Sequence, residues 1–270
     1  MVGRVSSLMS KSRKERLDKL LVARGLAPTR AKAQAYVMAG EVQVNGVRAD
    51  KAGMQVDSRA EITVVSRLPY VGRGGYKLAG ALEAFGIDVT GQVCADVGAS
   101  TGGFTDVLLQ QGAARVYALD VGYGQLDYKL RRDRRVVVME RTNARHVTAL
   151  PEAVRFVCID VSFISLKLIL PAVQGWLAQD SDVVALVKPQ FEAGRDQVGK
   201  GGIVKDPAVH RQVLAELVRW SAAQGLAPAG LVRSSIEGAD GNVEFLLWLR
   251  PGGEPRPGME AIIESLLEEA

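Results

Sequence analysis

Cys94-Ala-Asp-Val-Gly-Ala-Ser-Thr-Gly-Gly-Phe-Thr-Asp-Val-Leu-Leu109 is the stretch that decides the fold. Val93 to Val97 reads as a short buried strand carrying one carboxylate, Asp96. Gly98-Ala99-Ser100-Thr101-Gly102-Gly103 is a turn of small residues, and from Phe104 the apolar positions take helical spacing. Strand, glycine turn and helix in that order open the ligand site of a doubly wound α/β fold. Without a Cβ in the way, glycines let a ligand approach the main chain, and the helix N-terminus offers free N–H donors. The turn has neither G-x-G-x-x-G spacing nor the Gly-Lys-Ser/Thr of a phosphate loop. A carboxylate just before it would repel a pyrophosphate and suits an amine-bearing ligand. Val116 to Asp120 follows as a second apolar strand ending in an acid, placed to accept from ribose hydroxyls. Acid, glycine turn and second acid fit S-adenosylmethionine better than a nicotinamide dinucleotide.

Outward from this stretch the strand–helix rhythm continues. Strands are predicted at Val136–Glu140, Phe156–Asp160 and Asp182–Lys188, with an apolar helix at Leu166–Trp176 and another helix at His210–Gln224. Leu226–Ser234 and Val243–Leu249 read as a closing antiparallel pair, and Met259–Glu269 as a last helix. Near-continuous apolar strands alternating with helices predict a mostly parallel sheet covered on both faces. The polar residues gather at the strand ends: Asp96, Asp120, Asn143, Asp160 and Lys188. Ligands of open α/β sheets bind at that edge. Asp160 and Lys188 there are either chemical groups or a structural ion pair, because neither tolerates burial unpaired. Lys77, early in a helix predicted over Tyr76–Phe85, opposes the helix dipole, and Glu244 flanks an apolar strand.

Towards the N-terminus the character changes. Residues 1–67 hold 13 Lys and Arg against 6 Asp and Glu, whereas the remainder holds 21 against 24. A basic head on a near-neutral body predicts a polyanion-binding module joined to something else. Residues 1–12 read as a flexible basic tail. Glu15–Arg24 and Arg30–Ala39 have helical period, with Thr29 as N-cap of the second, and Glu41–Arg48 alternates around Asn45-Gly46, a hairpin signal. Glu61–Val65 is one more short strand, and Ser66–Gly75 a linker rich in glycine with Pro69. The 270 residues and 47% hydrophobic content suit one large or two modest domains. Two cysteines, Cys94 and Cys158, both in buried strands, and two histidines give no disulfide framework and no metal cluster. No apolar run approaches the roughly 20 residues of a membrane helix, and the basic start has no signal-peptide apolar region. A cytoplasmic location is the expectation, with no metal, no membrane and a monomeric state.

The blocks Arg16-Leu-Asp-Lys-Leu-Leu21, Thr29-Arg-Ala-Lys-Ala33 and Gly40-Glu-Val-Gln-Val-Asn-Gly46 resemble the S4 RNA-binding domain. That resemblance implies RNA contacts at Arg13, Lys14, Arg16, Lys19, Arg30 and Lys32, to which the basic linker positions Arg67 and Arg73 are added. Phosphate contacts of this kind position RNA without reading sequence. Lys77, Asp160, Lys188 and Glu244 resemble the catalytic tetrad of FtsJ-like 2′-O-ribose methyltransferases. An S4 head on this body, with Gly98-Ala-Ser-Thr-Gly-Gly-Phe104, Asp120-Val-Gly-Tyr-Gly-Gln-Leu126, Glu140-Arg-Thr-Asn-Ala-Arg145, Asp160-Val-Ser-Phe-Ile-Ser165 and Val187-Lys-Pro-Gln-Phe191, is similar to the TlyA family over essentially the whole chain.

The resemblance implies a Rossmann-like class I S-adenosylmethionine-dependent methyltransferase fold over residues 76–270. A small α+β S4-like domain (13–66) and a linker (67–75) would precede it. The implied activity is cytidine-2′-O-methylation of 16S ribosomal RNA, 23S ribosomal RNA or both, with ribosomal RNA or ribosomal subunits as partners. Cofactor contacts are expected at Asp96, Gly98, Ala99, Ser100, Thr101, Gly102, Gly103, Phe104, Asp120, Val121, Asn143 and Asp160. Lys188 is assigned the central role, either as a neutral amine taking the 2′-hydroxyl proton or as a cation stabilising the alkoxide. Gly194–Lys205, rich in glycine and lysine, is read as a mobile loop near the RNA. The family's older haemolysin label finds no support in the sequence, which has neither an apolar span nor a strongly amphipathic cationic segment.

Overall fold

The computed structural model describes residues 14–38, 40–64, 69–238 and 241–268. The chain divides into two compact units, Met1–Pro69 and Tyr70–Ala270. Arg13, Arg67 and the expected tail lie outside the described residues.

In the first unit, strand β1 (Lys14–Arg16) leads into helix α1 (Leu17–Ala23), followed by α2 (Arg30–Met38), β2 (Val42–Val44), β3 (Val47–Arg48), β4 (Gln55–Asp57) and β5 (Ile62–Val64). The Thr29 hydroxyl accepts the Lys32 N–H at 3.2 Å, the cap expected for α2. Asn45 and Gly46 both have positive φ, as the primed turn between β2 and β3 demands. Leu17, Leu20, Leu21, Ala33, Tyr36, Val37, Val42 and Ile62 form the core. Two features differ from the sequence reading. Glu15 and Arg16 do not start the helix but belong to strand β1, paired with β4, and β4 itself went unforeseen. Three-residue strands made largely of charged side chains carry no alternation signal.

The second unit begins with α3 (Gly74–Phe85). There follow β6 (Val93–Val97), α4 (Gly103–Gln110), β7 (Arg115–Leu119), α5 (Tyr128–Arg131), β8 (Val136–Met139), β9 (Val154–Ile159), α6 (Leu170–Gln174), β10 (Leu177–Val187), α7 (Pro189–Glu192), α8 (Pro207–Ala223), β11 (Leu226–Arg233), β12 (Phe245–Pro251) and α9 (Met259–Glu268). The seven strands lie in the order β11-β12-β10-β9-β6-β7-β8. The five from β10 to β8 are mutually parallel, and β12 runs antiparallel to both β10 and β11. This is the expected doubly wound sheet with an antiparallel edge. One face packs on α3 and α4 through Leu78, Leu82, Phe104, Val107 and Leu108; the other packs on α6, α8 and α9 through Val173, Leu214, Leu217 and Ile263. Each fully buried leucine contributes about 2 kcal/mol of transfer free energy.

The linker expected over 67–75 ends earlier than the sequence suggests. Gly74 and Gly75 are already helical, and Tyr70 and Val71 pack against the α3–α4 core. The Val71 N–H donates to the buried Asp106 carboxylate at 2.8 Å, which fixes this stretch to α4. The single helix expected over Leu166–Trp176 is instead a 3₁₀ turn, Leu166–Leu168, followed by the short α6. Pro171 has no N–H and disfavours helical backbone at the residue before it, so the helix restarts there with proline in its first turn. Pro189–Glu192, just past β10, is the one-turn helix α7.

Candidate active site

The functional side chains converge because β12 is reversed. The parallel strands end at one edge of the sheet, and the antiparallel β12 begins there. Val187 pairs with Phe245, so Lys188, just past β10, and Glu244, just before β12, flank one ladder at that edge. Glu244 is buried and ion-paired with Lys77, which α3 presents from the overlying layer. Lys188 lies 2.6 Å from Asp160, just past β9, and donates to the Ser162 hydroxyl at 2.9 Å. The four residues expected to act together thus form two lysine–carboxylate pairs, and the ion pair that the sequence left as an alternative for Asp160 and Lys188 is present.

Two cavities meet at this edge. The larger, of about 460 Å³, is lined by Gly98, Ser100, Asp120, Val121, Asn143 and Asp160 together with Gln125 and Phe163. The smaller, of about 200 Å³, is lined by Lys77, Ala99, Thr101, Gly103, Phe104 and Asp160. Asp160 is the acid common to both; Lys188 and Glu244 line neither cavity, and Lys188 reaches their junction through its pair with Asp160. The turn between β6 and α4 is held from below and from the side. Asp120 accepts the Ser100 N–H at 2.7 Å and the Gly122 N–H at 2.6 Å. Gly98 has φ +87°, and a Cβ there would lie 2.2 Å from the Asp160 carbonyl oxygen. Only glycine lets β6 and β9 close on one another at the point where the cavities begin.

Two expected cofactor residues do other work. Asp96 is fully buried and lines neither cavity. Its Oδ2 accepts the Thr105 N–H at 2.8 Å and the Thr105 hydroxyl at 2.6 Å, holding the first turn of α4. Burial, aided by the Asp160 charge and opposed by the Thr105 bonds, pushes its carboxyl up to about 7. Gly102 also lines neither cavity; its Cβ would collide with Leu130 at 2.2 Å, so it serves the packing of α5. Asn143 lines the larger cavity while its side-chain oxygen caps the following turn through the Arg145 N–H at 3.1 Å.

Several site residues had no individual signal in the sequence. Phe163 is 90% exposed with φ +63°, a strained conformation for a bulky residue. Its ring lies 5.0 Å from that of Phe191. Glu192, at the end of α7, accepts the Ser165 hydroxyl at 2.6 Å and the Leu166 N–H at 2.8 Å. Burial raises the pKa of this carboxyl. It joins the segment carrying Lys188 and Phe191 to the loop carrying Asp160, Ser162 and Phe163.

Of the basic positions expected to meet RNA, Lys14, Lys19, Lys32 and Arg73 are exposed. Arg16 and Arg30 both bind the buried Asp18, at 2.9 and 2.8 Å, and Gln34 adds a bond at 3.0 Å. The Arg16 guanidinium foremost holds the Asp18 carboxyl well below the usual range. Both arginines therefore tie the first unit together, with outer N–H groups still near the surface. The segment read as a mobile loop is anchored at its far end, where Val204 is buried and its N–H donates to Asn242. Among the described residues no helix is long and apolar enough to cross a membrane.

The pattern of the FtsJ-like methyltransferase family matches residues 70–251, and that of the S4 domain matches residues 15–62. A Mycobacterium tuberculosis protein described as 16S/23S rRNA (cytidine-2′-O)-methyltransferase TlyA is 50% identical over 245 residues, 88% of this chain and 91% of that one. The chain belongs to the TlyA family of FtsJ-like methyltransferases. YqxC of Bacillus subtilis, described as a candidate rRNA methyltransferase, is 53% identical across 95% of this chain and 92% of its own. A solved structure from Streptococcus thermophilus, described as a candidate hemolysin, superposes with a TM-score of 0.75 at 44% identity, covering 96% of each chain. TlyA relatives thus carry both a methyltransferase and a hemolysin description, and this TlyA member has the paired lysines and carboxylates set out above.

Proposed function

We propose that this chain transfers a methyl group from S-adenosylmethionine to the ribose 2′-hydroxyl of a cytidine in ribosomal RNA. The observation that carries the reading is the Lys188–Asp160 pair, 2.6 Å apart and tied to the acid common to both cavities, with the Lys77–Glu244 pair beside it. When bound, S-adenosylmethionine supplies an electrophilic sulfonium methyl. The residues of the larger cavity fit it. Both Asp120 oxygens keep acceptor capacity for ribose hydroxyls beyond the two main-chain N–H groups they already take. Val121, exposed at the wall, offers an apolar face to an adenine, and the Asn143 amide offers donors. The smaller cavity, lined by Ala99, Thr101, Gly103 and Phe104 together with Lys77 and Asp160, is where the methionine part of the cofactor meets the substrate ribose.

A 2′-hydroxyl is a poor nucleophile until it loses its proton. Each lysine sits against a carboxylate. We assign Lys188 the stabilisation of the negative charge developing on the 2′-oxygen, with Asp160 and Ser162 fixing its position; the hydroxyl proton passes to solvent water as the oxygen takes the methyl, and the cofactor's sulfur would leave as a neutral thioether. Lys77, held by Glu244, adds a second positive charge. Exposed Phe163 offers a ring on which a base stacks, an interaction suited to RNA.

The test uses purified full-length protein, tritiated S-adenosylmethionine and separate small and large ribosomal subunits, beside Lys188→Ala. Label on RNA ribose with the wild-type protein and at least a hundredfold less with the variant supports the reading. Demonstrated cofactor binding without label on either subunit would overturn it.

A further inference from the structure

On the face of the sheet opposite Lys77, a third cavity of about 440 Å³ opens at the same strand edge. The β11–β12 register places Arg233 directly across from Phe245. Cross-strand partners share a face, so Arg233 and Phe245 lie on one side while Glu244, one residue earlier, turns to Lys77 on the other. The His210 ring stands edge-on to Phe245 with centroids 5.8 Å apart. Its Nε2 donates to the Val204 carbonyl at 3.0 Å, which leaves Nδ1 as the acceptor of the neutral ring. Val204, Val243, Leu266 and Leu267 give apolar walls.

Two cations complete the lining, Lys205 and Arg233. Neither makes an ion pair or side-chain hydrogen bond among the described residues, whereas Arg115, Arg131, Arg135 and Arg211 each hold a carboxylate. The neighbouring acid, Asp206, is engaged as the α8 N-cap through the Ala208 N–H at 2.8 Å. A cavity of this size with apolar walls and two positive charges that are unpaired among the described residues calls for an anion carrying an apolar body. Burial, together with the Arg233 charge, depresses the His210 pKa against the pull of Val204 and Asp206.

We propose that this cavity is a nucleotide-binding site, with the phosphate on Lys205 and Arg233 and the base or sugar against the Val204 and Leu267 wall. The proposal rests on the RNA-substrate reading only for its source. The nucleotide is either a residue of the substrate strand flanking the target, which the shared strand edge makes reachable, or a free nucleotide.

The chain has two histidines, and His146 is exposed, so imidazole NMR separates the site from an internal control. Full-length protein saturated with S-adenosylhomocysteine, to fill the cofactor cavity, is titrated with cytidine 5′-monophosphate and, separately, with a short cytidine-rich RNA. Either probe is expected to shift the His210 signals and raise their titration midpoint, because a bound anion favours the imidazolium, while His146 stays in place. Arg233→Ala is expected to weaken binding roughly tenfold, the loss of one charge-assisted contact, and Arg233→Lys to restore most of it. A response to the mononucleotide assigns the site to free nucleotide; a response to RNA alone assigns it to the strand, and Arg233→Ala then raises KM for RNA with kcat retained. No His210 response to either probe, or a response unchanged in Arg233→Ala, would overturn the site. A nucleotide response from a protein that labels no ribosomal subunit sinks the methyltransferase reading and leaves the site standing.

Discussion

Lys188 can act in two ways, and its geometry distinguishes them by substitution. Arginine keeps a permanent positive charge and cannot serve as a base. With Asp160 and Ser162 positioning a cation, Lys188→Arg is expected to retain at least tenfold more methyl transfer than Lys188→Ala, which loses the roughly hundred- to thousandfold typical of a removed charge stabiliser. Single-turnover rates at saturating cofactor check this; equal loss in both variants would return the base role. Asp96 makes a prediction of the opposite kind. Its carboxyl, pushed up to about 7, binds a proton more tightly folded than unfolded. Stability from this group is therefore full below the unfolded value near pH 4 and falls as pH rises towards 7. Asp96→Asn keeps the Thr105 acceptor and removes the buried charge. It is expected to gain about 2 kcal/mol at pH 8, seen as a raised Tm, and nothing at pH 4. A variant less stable than wild type at pH 8 would refute the assignment.

At the scale of elements, what could be read in the sequence follows from how local the signal is. The β6–turn–α4 unit was legible because strand, glycines and helix adjoin. The Lys77–Glu244 contact spans 167 positions and exists because β12 is inserted antiparallel beside β10. No periodicity reports such a pairing; family resemblance brought these residues together before the sheet order explained why. That Asp96 and Gly102 line neither cavity was invisible for a related reason, since a residue next to a ligand loop is equally able to face inward and brace it. Glu192 was missed because a glutamate on a one-turn helix looks like surface until its partners Ser165 and Leu166 are seen. As the clasp between the Lys188 segment and the Asp160–Phe163 loop, it is expected to matter for rate more than for cofactor affinity. Glu192→Ala should lower kcat about tenfold or more with cofactor Kd little changed, and Glu192→Gln, which still accepts the Leu166 N–H, should recover most of it. Stopped-assay kinetics with calorimetric cofactor binding would separate the two, and an unaffected kcat in the alanine variant would dismiss the clasp.

Across the whole molecule, charge divides the labour that the two units perform. The first unit carries the excess of Lys and Arg, while the second, near neutral, carries the paired lysines and acids. Within the first unit the basic residues are themselves of two kinds. Arg16 and Arg30 are committed to the buried Asp18, so replacing them would confound folding with binding. Lys14, Lys19 and Lys32 are exposed and make no ion pair among the described residues, Lys32 lying 5.5 Å over the Tyr36 ring, so they probe the electrostatic surface better than Arg16 and Arg30 do. Each phosphate neutralised on RNA binding releases condensed counterions, so the logarithm of the affinity falls with the logarithm of salt by about 0.7 to 0.9 per contact. Replacing all three lysines by alanine is therefore expected to reduce that slope by about 2 to 3 and to raise KM for ribosomal RNA at low salt. The kcat at saturating RNA should stay within about twofold, because the pairs at Lys77 and Lys188 are untouched. A triple variant with the wild-type salt slope would mean that the basic head does not face the RNA backbone, and the substrate would then have to be held by the second unit alone.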